Sequence, residues 1–252
     1  KSLEKVGFDQ SHSFLGVKLE FFNQSANSLD YITTHPNTYD ASKSYPLIIL
    51  LHGYGSNMQD LAPLGNLISK EGYVFVFPNA PNQLMKEFGP GAFSWSNFNT
   101  LGNTENLEFI KDAEKTESLL DNFLKEVTTK YKTPKGQIIL GGFSQGGMVT
   151  YLWGLKNPNT FCGLASLSSK MILPDYIESN LTENRSQKIF ISHGSNDSIV
   201  PMNDGVDAAE KLKMFGYEPD YHEYQIGHEI NNDVLYDLSN WVSNTLPPAK
   251  IS

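Results

Sequence analysis

The sequence predicts an α/β protein with a mostly parallel central sheet that is covered by helices on both faces. Short apolar runs bounded by Gly or Pro recur along the chain, and runs without a polar face are typical of strands buried on both sides. Segments with apolar residues at helical spacing separate these runs. Such alternation of strand and helix is the signature of a parallel sheet between helical layers.

The predicted strands and helices can be assigned in order along the chain. Residues 17–22 and 29–34 are predicted to pair as antiparallel strands at one edge of the sheet. The buried strands are predicted at residues 47–51, 73–77, 137–140, 161–167 and 188–192, and the helices at 107–131, 148–155, 204–215 and 233–246.

Length and composition predict a single domain, residues 1–252, with residues 1–30 as an extension at the sheet edge. The chain has 252 residues, without an internal repeat or a low-complexity linker. Its formal net charge is -9 and its Lys and Arg residues are scattered, which argues against nucleic acid or anionic membrane surfaces as partners. No apolar run approaches the roughly 20 residues of a membrane span, so stable membrane insertion is not expected.

The lone cysteine, Cys162, excludes an internal disulfide and a multi-cysteine zinc site. Its apolar neighbours predict a place in a buried strand. The scarcity of cysteine favours a cytoplasmic location. The sequence begins at Lys1 rather than Met, so the question of a preceding secretion signal stays open.

A G-x-S-x-G pentapeptide at 142–146 makes Ser144 the candidate nucleophile. The pentapeptide alone is weak evidence and fits a glycine-rich turn with an incidental serine. Here it follows the apolar strand ending at Leu140 and precedes a predicted helix, which is the strand–turn–helix order of the nucleophile elbow in α/β-hydrolases.

A serine hydroxyl needs a base, and in this fold an acid and then a histidine follow the serine in the chain. Asp197 comes just after the strand that ends at Ser192, whereas the other downstream Asp residues lie in helical stretches or far from a strand end. Of the downstream histidines, His193 precedes this acid and His222 alternates within a predicted strand. His228 follows that strand in a loop, so it is the candidate base, the alternative being a surface histidine near a helix start.

Stabilising an oxyanion requires backbone N–H groups that point at the developing charge. The residue after the nucleophile, Gln145, is one candidate donor. The other is Tyr54, in the sequence LHGYG at 51–55, where the glycines allow close approach to a substrate. The alternative is that His52 and Gly53 form only a tight strand exit.

These motifs together resemble the phospholipase/carboxylesterase family, which includes acyl-protein thioesterases and small bacterial carboxylesterases. Asp197 lies 53 residues after Ser144 and His228 lies 31 residues further on, and this spacing also resembles the family's. The matching segments are LHGYG at 51–55, FPNAP at 77–81, GFSQGG at 142–147, HG at 193–194 with Asp197 and VP at 200–201, and GH at 227–228.

The resemblance implies one α/β-hydrolase domain without a large lid, which hydrolyses carboxylic esters or thioesters with neither cofactor nor metal. It also implies substrate contacts for Trp95 and Val200. The residues after Trp95 depart from the family pattern, so a buried tryptophan without a substrate role is the open alternative. Residues 82–106 are long and polar for the family, and their role is open, as is the shape of the loop at 171–184.

The sequence thus predicts a serine carboxylesterase that hydrolyses short- to medium-chain esters through an acyl-enzyme on Ser144. Acyl-protein thioesterase and lysophospholipase activities are the alternatives. A peptidase is disfavoured because the chain is too short for a gating domain, and a dienelactone-hydrolase-like enzyme would need a cysteine nucleophile. A zinc enzyme is disfavoured because the chain lacks an H-E-x-x-H motif. A non-catalytic binding protein is disfavoured because it would normally have lost one of the three catalytic residues, whereas the serine, the aspartate and the histidine are all present here. The expected partner is a small ester or thioester, and the oligomeric state is open.

Overall fold

The computed structural model describes residues 12–14, 17–22, 28–96 and 107–249. None of the helices in these ranges is both long and apolar enough to cross a bilayer. The strands are β1 (His12–Phe14), β2 (Val17–Phe22), β3 (Tyr31–Thr34), β4 (Leu47–Leu51), β5 (Val74–Pro78), β6 (Asn82–Gln83), β7 (Phe93–Ser94), β8 (Ile138–Phe143), β9 (Gly163–Leu167), β10 (Lys188–Gly194) and β11 (Pro219–Tyr224). The helices are α1 (Leu64–Ile68), α2 (Met85–Phe88), α3 (Leu107–Lys130), α4 (Gln145–Gly154), α5 (Pro174–Ser179), α6 (Met202–Met214) and α7 (Asn232–Thr245).

Within the described ranges, nine strands form one sheet in the order β1-β2-β3-β5-β4-β8-β9-β10-β11. Every pairing from β5 to β11 is parallel, whereas β1, β2 and β3 are antiparallel to their neighbours. The predicted α/β class is therefore confirmed. The predicted antiparallel edge is confirmed too, because β2 pairs with β3 in a register that places Phe22 opposite Tyr31.

Strand β4 shows how the sheet is held between its two helical layers. All five of its residues are buried, and alternate side chains enter opposite cores. Leu47, Ile49 and Leu51 pack in the core that contains residues of α3 and α4, while Ile48 and Leu50 pack in the core of α1 and α7. A shift of one residue would exchange these faces, so the packing fixes where β4 ends and the next loop begins.

Several predicted boundaries differ from the structure by one to three residues, and two segments whose shape the sequence left open contain short helices or strands. Helix α4 begins at Gln145 rather than 148, since the Ser144 carbonyl already accepts the first helical N–H groups. The segment at 171–184 contains α5, which starts with Pro174 at its first position. The segment at 82–106 contains α2 and the antiparallel pair β6–β7, and its residues 97–106 lie outside the described residues.

Candidate active site

The candidate catalytic residues lie in loops at the edge of the sheet formed by the carboxyl ends of its parallel strands. Tyr54 follows β4, Ser144 follows β8, Asp197 follows β10 and His228 follows β11, and these four strands are parallel. Because the carboxyl ends of parallel strands meet at the same edge, segments far apart in the sequence lie together. Ligands of open α/β sheets bind at this edge.

Ser144 adopts a backbone conformation that side chains rarely tolerate. Its φ is 53° and its ψ is -115°, in the turn between β8 and α4. Conformations of this kind cost about 1–3 kcal/mol and persist where the surroundings hold them. The Ser144 N–H donates to the carbonyl of Leu167 at 2.9 Å, and the Ser144 carbonyl accepts the hydroxyl of Ser169 at 2.6 Å. Hydrogen bonds to the N–H and the carbonyl of the serine therefore hold its backbone in this turn.

A glycine allows the neighbouring loop to approach the elbow. A Cβ on Gly146 would collide with the carbonyl oxygen of Leu51, at the end of β4. At Gly53 a Cβ would lie 3.5 Å from the Cβ of Ser144, which is an ordinary van der Waals contact and shows how close the two loops are. The loop that carries Tyr54 therefore runs directly beside the nucleophile candidate.

Asp197 and His228 form a short hydrogen bond. The Nδ1 of His228 lies 2.7 Å from the Oδ2 of Asp197, whose side chain is fully buried. The other carboxylate oxygen accepts the N–H groups of Ile199 and Val200, each at 2.9 Å. A carboxylate only accepts, so we assign the imidazole proton to Nδ1, which leaves Nε2 available as a base. The His228 ring lies against the elbow, with its centroid 4.7 Å from that of Phe143.

The other two downstream histidines are engaged elsewhere. The Nε2 of His193 donates to the carbonyl of Val200 at 2.8 Å and lies 3.6 Å from Asp197, beyond hydrogen-bond length. His193 thus supports the loop of the acid, a role that the sequence did not indicate. His222 lies on β11 beside Asp220, with its Nε2 2.9 Å from that carboxylate.

The two candidate oxyanion donors differ in exposure. Gln145 is buried at the start of α4, and its side-chain Oε1 accepts the N–H of Trp95 at 3.0 Å. Tyr54 is 37% exposed and packs edge-on against Phe88, with 5.7 Å between the ring centroids. Gly55, the next residue, donates its N–H to the carbonyl of Phe93 at 2.9 Å.

Trp95 and Val200, the two predicted substrate contacts, are both buried in the structure. Trp95 has no exposed surface, and its indole Nε1 donates to the carbonyl of His52 at 2.8 Å, behind the loop of Tyr54. Val200 uses its backbone to hold Asp197 and His193. A substrate contact for either residue stays a prediction.

A parallel sheet with a serine on a strained strand–helix turn, and an Asp–His pair at the same edge, defines an α/β-hydrolase. The chain belongs to the phospholipase/carboxylesterase family, whose model matches residues 38–246. This confirms the resemblance noted in the sequence.

Curated relatives and solved structures agree with this family. The chain is 28% identical to acyl-protein thioesterase 1 of Emericella nidulans over 216 residues, which cover 79% of this chain and 90% of the relative. It is 27% identical to a probable carboxylesterase of Oryza sativa subsp. japonica, over 84% of this chain and 82% of the relative. The crystal structure of esterase PE8 superposes with a TM-score of 0.71 at 26% identity, covering 87% of this chain and 99% of that one.

Proposed function

We propose that this protein is a serine carboxylesterase that hydrolyses short- to medium-chain carboxylic esters through an acyl-enzyme on Ser144. The observation that carries the proposal is the Asp197–His228 hydrogen bond of 2.7 Å beside the elbow of Ser144. A nucleophile, a base and a group that orients the base are the parts that acyl transfer to serine requires.

In the proposed mechanism, His228 takes the proton of Ser144 through Nε2 as the hydroxyl oxygen attacks the ester carbonyl. Asp197 keeps the proton of the imidazole on Nδ1 and stabilises the imidazolium that forms. The N–H groups of Tyr54 and Gln145 stabilise the oxyanion of the tetrahedral intermediate. His228 then protonates the leaving alcohol, and water repeats the sequence on the acyl-enzyme to release the acid.

The surface beside the loop of Tyr54 favours a substrate with an apolar acyl group. Phe88, 57% exposed, lies against the ring of Tyr54, and Met85 on the same short helix is 53% exposed. Exposed apolar side chains grouped beside the loop of a candidate oxyanion donor favour substrates with a hydrocarbon chain.

The test is hydrolysis of p-nitrophenyl esters from acetate to palmitate by wild type and Ser144→Ala. We expect turnover with an optimum at short to medium chains, and a loss of several orders of magnitude in the variant. Wild type that hydrolyses no ester or thioester, and that a fluorophosphonate probe does not label, would contradict the proposal.

Acyl-protein thioesterase activity is the second candidate, because the relative from Emericella nidulans carries that name over 90% of its length. Lysophospholipase activity is a further alternative, in keeping with the family's description. Matched octanoyl substrates, an oxygen ester, a thioester and a lysophospholipid, separate the three. A kcat/KM at least about tenfold higher for one of them, a difference of about 1.4 kcal/mol in transition-state stabilisation, assigns the activity.

A further inference from the structure

We propose that His52 is a positioning residue, which orients the Tyr54 N–H toward the oxyanion, and that Trp95 ties it to the second donor, Gln145. We call His52, Trp95 and the side chain of Gln145 the oxyanion support. This inference rests on the proposed function, and concerns how the two donors keep their geometry.

The first step is the hydrogen bond between His52 and the peptide group that carries the Tyr54 N–H. His52 Nδ1 lies 2.8 Å from the carbonyl oxygen of Gly53. That carbonyl and the Tyr54 N–H belong to the same peptide group, which is planar and trans. Fixing the direction of the carbonyl therefore fixes the N–H, which points the opposite way. An N–H whose carbonyl also accepts a hydrogen bond is a better donor, through mutual polarisation.

The second step is that the partners of the imidazole determine its tautomer. The carbonyl of Gly53 only accepts, so Nδ1 must donate the proton. The backbone N–H of Ala80 only donates, and it lies 3.0 Å from Nε2, so Nε2 must accept. Both bonds therefore require a neutral imidazole protonated at Nδ1. Burial lowers the pKa of His52 to about 4, outweighing the opposing effects of the Gly53 carbonyl and Asp60.

The third step connects the preceding peptide group, His52–Gly53, to Gln145. The indole Nε1 of Trp95 donates to the carbonyl of His52 at 2.8 Å, and the Trp95 backbone N–H donates to the side chain of Gln145 at 3.0 Å. The hydroxyl of Thr116 on α3 donates to the carbonyl of Trp95 at 2.6 Å. Buried hydrogen bonds through Trp95 therefore link the backbone of His52, whose side chain bonds to the Gly53–Tyr54 peptide, to the residue that supplies the other donor.

This connection bears on catalysis because oxyanion donors act only when they are held close to the productive geometry, within about 0.5 Å. When a donor tilts away, the transition state loses more stabilisation than the bound substrate does. The effect is therefore expected on kcat rather than on KM. A merely structural role would instead lower stability and leave kcat unchanged.

Trp153 provides a matched control for Trp95. It is also buried, and its indole Nε1 donates to Asp121 at 2.9 Å, but it lies at the far end of α4 from Ser144. Trp95→Phe and Trp153→Phe therefore each remove one indole hydrogen bond from a buried site. Only the first of these bonds belongs to the oxyanion support.

The experiment measures kcat and KM on p-nitrophenyl butyrate, inhibition by an alkyl boronate that forms a tetrahedral serine adduct, and thermal stability. We expect Trp95→Phe to lower kcat at least about tenfold with KM within about twofold, and to weaken the boronate in parallel with kcat. Trp153→Phe should keep kcat and boronate affinity within about twofold even where its stability falls.

A second pair of variants tests His52 directly. His52→Asn retains a donor near the position of Nδ1, whereas His52→Leu has none, so the Asn variant should keep at least about tenfold more kcat than the Leu variant. If Trp95→Phe does not fold, Gln145→Met, which retains the backbone N–H but not the bond to Trp95, carries the same prediction of lowered kcat.

Two outcomes would overturn the inference while leaving the proposed function intact. One is a wild type whose activity depends on Ser144, together with a Trp95→Phe variant whose kcat and boronate affinity match those of Trp153→Phe. The other is equal kcat for the Asn and Leu variants of His52. A wild type without Ser144-dependent activity would instead contradict the proposed function itself.

Discussion

The two halves of the candidate site are held in different ways. Asp197 is fixed mainly by its own loop, through the N–H groups two and three residues further on, and His193 bonds to that loop seven residues away. The oxyanion half depends on contacts across the chain: Trp95 bonds to His52 and to Gln145, 43 and 50 residues distant. We infer that the position of the acid is a local property of its own loop, whereas oxyanion geometry depends on the packing of several elements.

The largest effect that tests this contrast concerns Asp197. Asp197→Asn should lower kcat about 10⁴-fold on p-nitrophenyl butyrate, because an amide favours the wrong tautomer of the base. Asp220→Asn is the matched control, since the Asp220 carboxylate also lies close to a histidine, 2.9 Å from Nε2 of His222, but Asp220 is exposed. Retention of activity within tenfold by the first variant, or an equal loss in the second, would contradict the assignment of the acid.

The second effect is a loss of stability at low pH, which arises from His52 in the oxyanion half. The pKa of His52 is about 4 in the folded protein against an ordinary 6.5, so the unfolded chain binds a proton that the folded chain excludes. This contribution to stability is fully present above pH 6.5 and is lost as the pH falls from 6.5 to 4. The expected decrease in the free energy of unfolding is about 3 kcal/mol.

Urea unfolding at pH 7.5, 5.5 and 4.5 measures this slope. His52→Asn removes the titrating group and should flatten it, and His222→Asn serves as the control for loss of an imidazole. An identical slope in wild type and His52→Asn would show that His52 does not carry the effect.

The smallest effect concerns the apolar surface next to Tyr54. Phe88→Ala should lower kcat/KM for an octanoate ester about threefold relative to acetate, because a longer acyl chain loses an apolar contact. Tyr236→Ala, which removes an exposed aromatic from α7, should leave the ratio of the two esters unchanged. A constant ratio in Phe88→Ala would place the acyl chain elsewhere.

What the sequence could predict follows the same division. The strand–serine–helix order and the Asp–His order depend on short local patterns, and the structure places those residues at one edge of the sheet. Pro174 followed by Asp175 is a sequence signal for the start of α5 within 171–184.

The oxyanion support could not be predicted, because its bonds join distant positions and largely use backbone groups that any residue possesses. The sequence therefore placed Trp95 only as a pocket wall or as plain core. In the structure it is buried, with its indole bonded to the loop of Tyr54.

The most direct test of the central claim is to trap the acyl-enzyme. Wild type is mixed with p-nitrophenyl butyrate, quenched in acid within the first turnover, digested and analysed by mass spectrometry, with Ser144→Ala in parallel. We predict a butyryl group on the peptide that contains Ser144, and none in the variant. A butyryl group on another residue, such as neighbouring Ser168 or Ser169, or active wild type without any acyl-enzyme, would contradict Ser144 as the nucleophile.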